Sequence, residues 1–141
     1  MEPRAIVDRM MEKDYFSQWL GIRIISLEEG NCQLSMTLRK EMLNGFGIAH
    51  GGITYSLADS ALAFASNSKG IQSLSIETSI SHVISLKEGD ELFARAQCVT
   101  ETTKLGHYDV TLWSASPTKP VAIFRGIVYK TATPWADSPG R

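Results

Sequence analysis

The sequence predicts an α+β domain in which an antiparallel sheet wraps one long central helix. Two observations carry this expectation. From Ile53 to about Ser68 the chain runs through Leu57, Ala58, Ala61, Leu62, Ala63, Phe64 and Ala65, so this helix is apolar on most sides and belongs in a core. Downstream, apolar and polar residues alternate with a period of two, as in strands with one covered face. A single apolar helix needs a cover, and a curved antiparallel sheet supplies one.

The elements follow in order. Ile6, Val7, Met10, Met11, Tyr15, Phe16, Trp19 and Leu20 recur at spacings of three and four, which predicts an amphipathic helix within residues 1–20, stopped by Gly21. Ile22 to Leu27 and Cys32 to Leu38 read as a hairpin around Glu29-Gly30-Asn31. Asn44 to Gly52 holds four glycines in nine residues, too many for a regular element, and is expected to be a shaped loop. The buried helix comes next, with Gly70 just beyond as its stop. After it, Leu74, Ile76, Thr78 and Ile80 share one strand face, while Ser73, Ser75, Glu77 and Ser79 share the other. Glu88-Gly89-Asp90 makes a turn, and Leu92 to Thr100, Tyr108 to Ser114 and Val121 to Tyr129 complete an expected four-strand meander. The tail from Pro134 to Arg141 is expected to be flexible.

With 141 residues and 43% hydrophobic content, residues 1–141 suit a single domain that buries roughly two thirds of its unfolded surface. Fourteen Lys and Arg stand against 15 Asp and Glu, without a basic run, so neither nucleic acid nor a membrane is expected as a partner. Residues 1–11 contain no apolar stretch of signal-peptide length, and a cytoplasmic address follows. Cys32 and Cys98 lie far apart in candidate strands and are expected to be free thiols.

Asp59 stands out because it sits among Leu57, Ala58, Ala61 and Leu62 on the buried helix, where an unpaired carboxylate is costly. Either the helix begins later and Asp59 is its N-cap, or Asp59 is a general base or nucleophile held partly desolvated in a cleft. Gly51 and Gly52 feed the helix amino end, where free N–H groups and the dipole favour negative charge; they admit a substrate carbonyl there or simply make a tight turn. His50 is a ligand, a base or an ordinary loop histidine. The histidines and cysteines are scattered, with neither CxxC nor HExxH, so no metal site is expected. GxSxG and Walker loops are absent from the sequence.

The stretch Asn44-Gly45-Phe46-Gly47-Ile48-Ala49-His50-Gly51-Gly52, followed by Ser56-Leu57-Ala58-Asp59, resembles the PaaI-type phenylacetic-acid degradation thioesterases of the hot-dog superfamily. The likeness extends through Ala65 to Gly70, Gly106 to Val110 and Val121 to Gly126, and covers most of the chain from about Gly21 to Lys130. It implies a hot-dog fold, two protomers joining their sheets, a dimer of dimers, and active sites shared at the dimer interface. It also implies hydrolysis of an acyl-CoA thioester, aryl-acetyl or hydroxylated aryl-acetyl in type, with coenzyme A as part of the substrate and no separate cofactor.

By the same resemblance Asp59 is the general base or nucleophile of one protomer, which moves the balance away from the N-cap. Gly51, Asn44 and His50 of the facing protomer hold the thioester carbonyl, with Gly52 beside them, and Ser75 positions the attacking water. For the coenzyme A moiety the resemblance points to the strand end at His82, Ser85 and Lys87, to Lys104, Leu105 and Gly106, and to Arg125; basic residues suit its phosphates. The family often has proline in the loop where this chain reads Ile84-Ser85-Leu86-Lys87, which leaves a different path open there. Phe46, Tyr55 and Phe64 are candidates for the acyl pocket. Two rival functions stand beside hydrolysis: an enoyl-CoA hydratase or dehydratase, and a non-catalytic acyl-CoA-binding module. The second is normally tethered to a DNA-binding segment, for which Pro3 to Leu20 is too short.

Overall fold

The computed structural model describes residues 1–136. Two helices, α1 (Pro3–Lys13) and α2 (Tyr15–Leu20), precede strands β1 (Arg23–Glu28) and β2 (Asn31–Thr37). The long helix α3 (Gly51–Asn67) follows, and then β3 (Ile71–His82), β4 (Glu91–Glu101), β5 (Leu105–Trp113) and β6 (Ala122–Pro134). The six strands form one antiparallel sheet in the order β1-β2-β4-β5-β6-β3. Leu57, Ala58, Ala61, Leu62, Phe64 and Ala65 of α3 are buried against Leu34, Met36, Leu92, Ala94, Val110, Leu112 and Phe124 of the sheet. The expected helix-in-a-sheet architecture is present.

Four expectations change. The amino-terminal helix is broken at Asp14, whose backbone leaves the helical region while its side chain caps α2 by accepting the Ser17 N–H. The four later strands are not one meander: β4, β5 and β6 are neighbours, but β3 lies beyond β6 and β4 pairs with β2. Strand β3 does not keep one apolar face either. The register shifts between Ser75 and Glu77, Ile76 is the unpaired extra residue of the bulge, and Leu74 and Ile76 face solvent at 67% and 61% exposure while Thr78 and Ile80 are half-buried. Finally, Pro134 is the last residue of β6, and Trp135 is tied down by its backbone N–H to the Gly70 carbonyl and its indole N–H to Asn67 Oδ1. Residues 137–141 lie outside the described residues.

Both cysteines are free, and burial pushes the Cys32 thiol up to about 12. At the far end of α3, the Asn67 side chain bonds the backbone of Ala63 and of Ser73 on both its polar groups, which fixes the start of β3 on the helix. Midway along, Tyr55 bonds Thr78 Oγ1 at 2.5 Å and packs edge-on against Phe124.

The helix approaches β6 closely at Gly126, where an added Cβ would stand 2.5 Å from Leu62 Cδ2. Leu62 is fully buried and has nowhere to move. Replacing Gly126 with Val is expected to cost about 1–3 kcal/mol by overpacking, read as a lower midpoint in urea denaturation.

Candidate functional site

The amino end of α3 is built by the glycine loop. Asn44 Oδ1 accepts the backbone N–H of Phe46 at 2.9 Å and of Ile48 at 3.4 Å, so the Asn44 side chain folds the loop over itself. His50 is the N-cap of α3: its Nδ1 accepts the Gly52 N–H at 2.9 Å, which places the proton of a neutral ring on Nε2. Helix α3 therefore starts at Gly51, two residues before the predicted start, and Asp59 lies in its interior rather than at its cap. Gly52 N–H is engaged by His50, while Gly51 N–H has no partner among the described residues. The imidazole of His82 lies close beside Gly51: its Nε2 would stand 3.1 Å from an added Cβ, a tight contact that would shift the His82 side chain by a few tenths of an ångström.

A cavity of about 260 Å³ opens there, lined by Asn44, Gly51, Thr54, His82, Ser85 and Leu86 among others. A second, of about 450 Å³, shares Ile48, Ile84, Ser85 and Leu86 with it and continues to Lys87 and Lys119. Together they form a groove from the free Gly51 N–H to two lysines. Lys119 is absent from the sequence expectations, since the Pro-Thr-Lys-Pro turn gave no sign of what it lies beside.

Asp59 is eight residues along α3 from Gly51, on its one stripe that the sheet leaves uncovered, with Ser56, Ser60 and Ala63. The helix is thus not apolar all round. No hydrogen bond reaches the Asp59 carboxyl among the described residues, and its pKa is raised, first by desolvation and then by the negative charge of Asp14.

The remaining predicted residues are dispersed. Ser75 is exposed on β3, beside the bulge. Lys104, Leu105 and Gly106 sit at the β4–β5 turn, next to the carboxyl end of α3, and Gly106 packs so tightly against Tyr108 and Val128 that a Cβ would lie 3.1 Å from each. Since 17 residues of helix span roughly 25 Å, one chain does not bring this turn to the Gly51 groove. Arg125 pairs with Asp109 at 3.2 Å on the sheet face turned away from α3, where it borders a separate groove with His107. Phe46 is 90% exposed, Phe64 is fully buried, and Tyr55 is held by Thr78, so none of the three lines the groove.

Comparison with known proteins shows what carries this arrangement. The family model described as the thioesterase superfamily matches residues 46–121. The acyl-coenzyme A thioesterase PaaI of Escherichia coli K12 is 39% identical over 117 residues, covering 83% of each chain. The structure of the E. coli PaaI protein from the phenylacetic acid degradation operon superposes with a TM-score of 0.89, at 35% identity over 94% of this chain and 95% of that one. A protein of Streptococcus mutans UA159, solved bound to acetyl CoA, superposes with a TM-score of 0.77 at 26% identity over 81% and 91%.

The raised pKa of Asp59 has a consequence for stability. Burial disfavours the ionised form, so its contribution to stability is fully present below the unfolded pKa and is lost as pH rises through the folded one. Asp59→Asn is therefore expected to melt above the wild type at neutral pH, with the gap closing as pH falls through the raised folded pKa and gone below about 4; differential scanning calorimetry across pH checks both halves.

Proposed function

Because the chain belongs to the thioesterase superfamily, as a PaaI-type member with the hot-dog fold, we propose that it hydrolyses acyl-CoA thioesters whose acyl group is phenylacetyl, hydroxyphenylacetyl or a related aryl or medium-length chain. The observation that carries the reading is the pairing, on one helix, of a free amide at its start and a desolvated carboxylate eight residues on. A thioester carbonyl needs polarisation at oxygen and a nucleophile at carbon, and the thiolate leaves readily. Gly51 N–H supplies the first, with the positive end of α3 behind it. Asp59 supplies the second as general base: its raised proton affinity suits it to take a proton from water as the oxygen attacks, and the sulfur leaves with coenzyme A. This chemistry calls for no metal or organic cofactor.

Eight residues of helix separate Gly51 from Asp59 by about 12 Å, too far for one carbonyl to touch both. The reading therefore takes Gly51, Asn44 and His50 from one protomer and Asp59 from another. Strand β3 supports such an assembly: it is a sheet edge of 12 residues with exposed Leu74 and Ile76, the kind of edge that pairs with a second copy. In such an assembly the reading keeps Ser75 as the residue that positions the attacking water and the Lys104 to Gly106 turn of a facing chain as a coenzyme A contact, the roles the family resemblance implies. In the groove, Ser85, Lys87 and Lys119 are the candidates for the phosphates of coenzyme A, with Arg125 less favoured because Asp109 already neutralises it.

Thiol release from a panel of phenylacetyl-, hydroxyphenylacetyl-, benzoyl- and medium-chain acyl-CoAs tests the activity. Asp59→Asn is expected to lower kcat by roughly 10²–10⁴-fold while the fold is kept; absence of wild-type turnover across the panel would overturn the reading. Light scattering checks the shared site, for which a monomer is the adverse result.

A further inference from the structure

The corner between α1 and α2 lies directly over the working stretch of α3. Asp14 Oδ1 accepts the Ser17 N–H at 3.0 Å, and Asp14 Oδ2 accepts the Ser17 hydroxyl at 2.6 Å. Ser17 is buried, and its Oγ also meets Ser60 Oγ at 2.8 Å. A hydroxyl has one proton and that of Ser17 goes to the carboxylate, so Ser60 must be the donor in the second bond. The chain Ser60→Ser17→Asp14 therefore has one polarity and ends on an acceptor-only carboxylate. Ser60 is the neighbour of Asp59 on the same uncovered stripe of α3.

An N-cap alone needs only the bond to Ser17 N–H. The second oxygen of Asp14 and the bridge to Ser60 go beyond that requirement and fix the corner on the catalytic helix. We propose that Asp14, clamped by Ser17 and Ser60, is a positioning residue that sets a fixed negative charge beside Asp59. This rests on Asp59 being the working carboxylate.

The consequence concerns pH. A negative charge beside Asp59 disfavours its ionised form, in the same direction as burial, and activity that requires the carboxylate then begins at a higher pH. Among the described residues, the negative charge of Asp14 adds to burial in disfavouring the ionised form of Asp59. The core residues buried around α3 are uncharged, with Val7 from α1, Leu34 from β2, Ala94 from β4, Val110 from β5 and Phe124 from β6; Thr78 of β3 bonds Tyr55, and the charged Lys13 next to Asp14 is exposed.

Asn is as good an N-cap as Asp, so Asp14→Asn can keep the Ser17 N–H bond while it removes the charge and replaces the oxygen that accepts the Ser17 hydroxyl by a donor; Asp14→Ser removes the charge with a different cap and no donor at that place, and guards against one variant misfolding. Both are expected to move the acid limb of the kcat/KM profile to lower pH, giving roughly two- to fivefold higher kcat/KM than wild type on that limb, with the neutral plateau little changed. A limb that stays in place in both folded variants overturns the proposal, because a purely structural cap predicts no movement. Titration of the Asp59 carboxyl by carbon-13 NMR separates this from the activity itself: even in a protein without turnover on any acyl-CoA, a lower titration midpoint in Asp14→Asn upholds the proposal and an unmoved one rejects it.

Discussion

Everything in the site hangs on how closely α3 is held to the concave face of the sheet. The middle of its sheet-facing side is apolar, from Leu57 to Ala65, and Gly126 lets it sink until Leu62 fills the space that a β6 side chain would otherwise occupy. Burying that side constrains rotation of the helix about its axis, since any turn would expose Leu57 or Leu62 or push Ser56 and Ser60 into the core. Asp59 is therefore aimed by packing across the whole domain rather than by hydrogen bonds of its own. Tyr55 on Thr78 and Asn67 on Ser73 then pin the same helix lengthwise at two places.

The two chemical groups on α3 are handled in opposite ways. At its start the fold leaves an amide unengaged and surrounds it with a second donor-bearing ring, His82, in contact with Gly51. Further along it places a carboxylate where water is partly excluded and a second carboxylate is near, both of which oppose ionisation. Neither arrangement helps the domain fold. Polar groups left unsatisfied or desolvated against the local interest of stability are what a reactive site requires.

Much of this was legible in the chain. The composition of Ile53 to Ser68 already demanded a covered helix, and glycines in Asn44 to Gly52 marked the one place where the backbone had to be shaped. Gly21 ended its helix as expected, as the left-handed cap of α2, while α3 closes at Ser68 and Gly70, also with positive φ, follows in the turn to β3. What stayed hidden was long-range. The position of β3 beyond β6 is set by pairing between residues some fifty positions apart, such as Ser75 with Val128, and period-two alternation carries no information about partners. The bulge at Ile76 likewise reverses which residues face inward, and no local pattern announces it. Asp14 was one polar position inside the expected amino-terminal helix, and although Asp is a favoured N-cap, nothing in its neighbours marked a helix restart there. Lys119 stayed hidden because proximity to a groove is a property of the closed sheet.

The placement of β3 also shapes the order in which the molecule can be made. Strand β3 leaves the ribosome immediately after α3, yet its one partner strand among the described residues, β6, is the last of the six to be synthesised. Until then β3 has two open edges and an apolar helix beside it that the sheet cannot finish covering. The nascent chain thus carries its most adhesive strand exposed for some forty residues of translation, a window in which contact with a chaperone or with another nascent copy competes with folding.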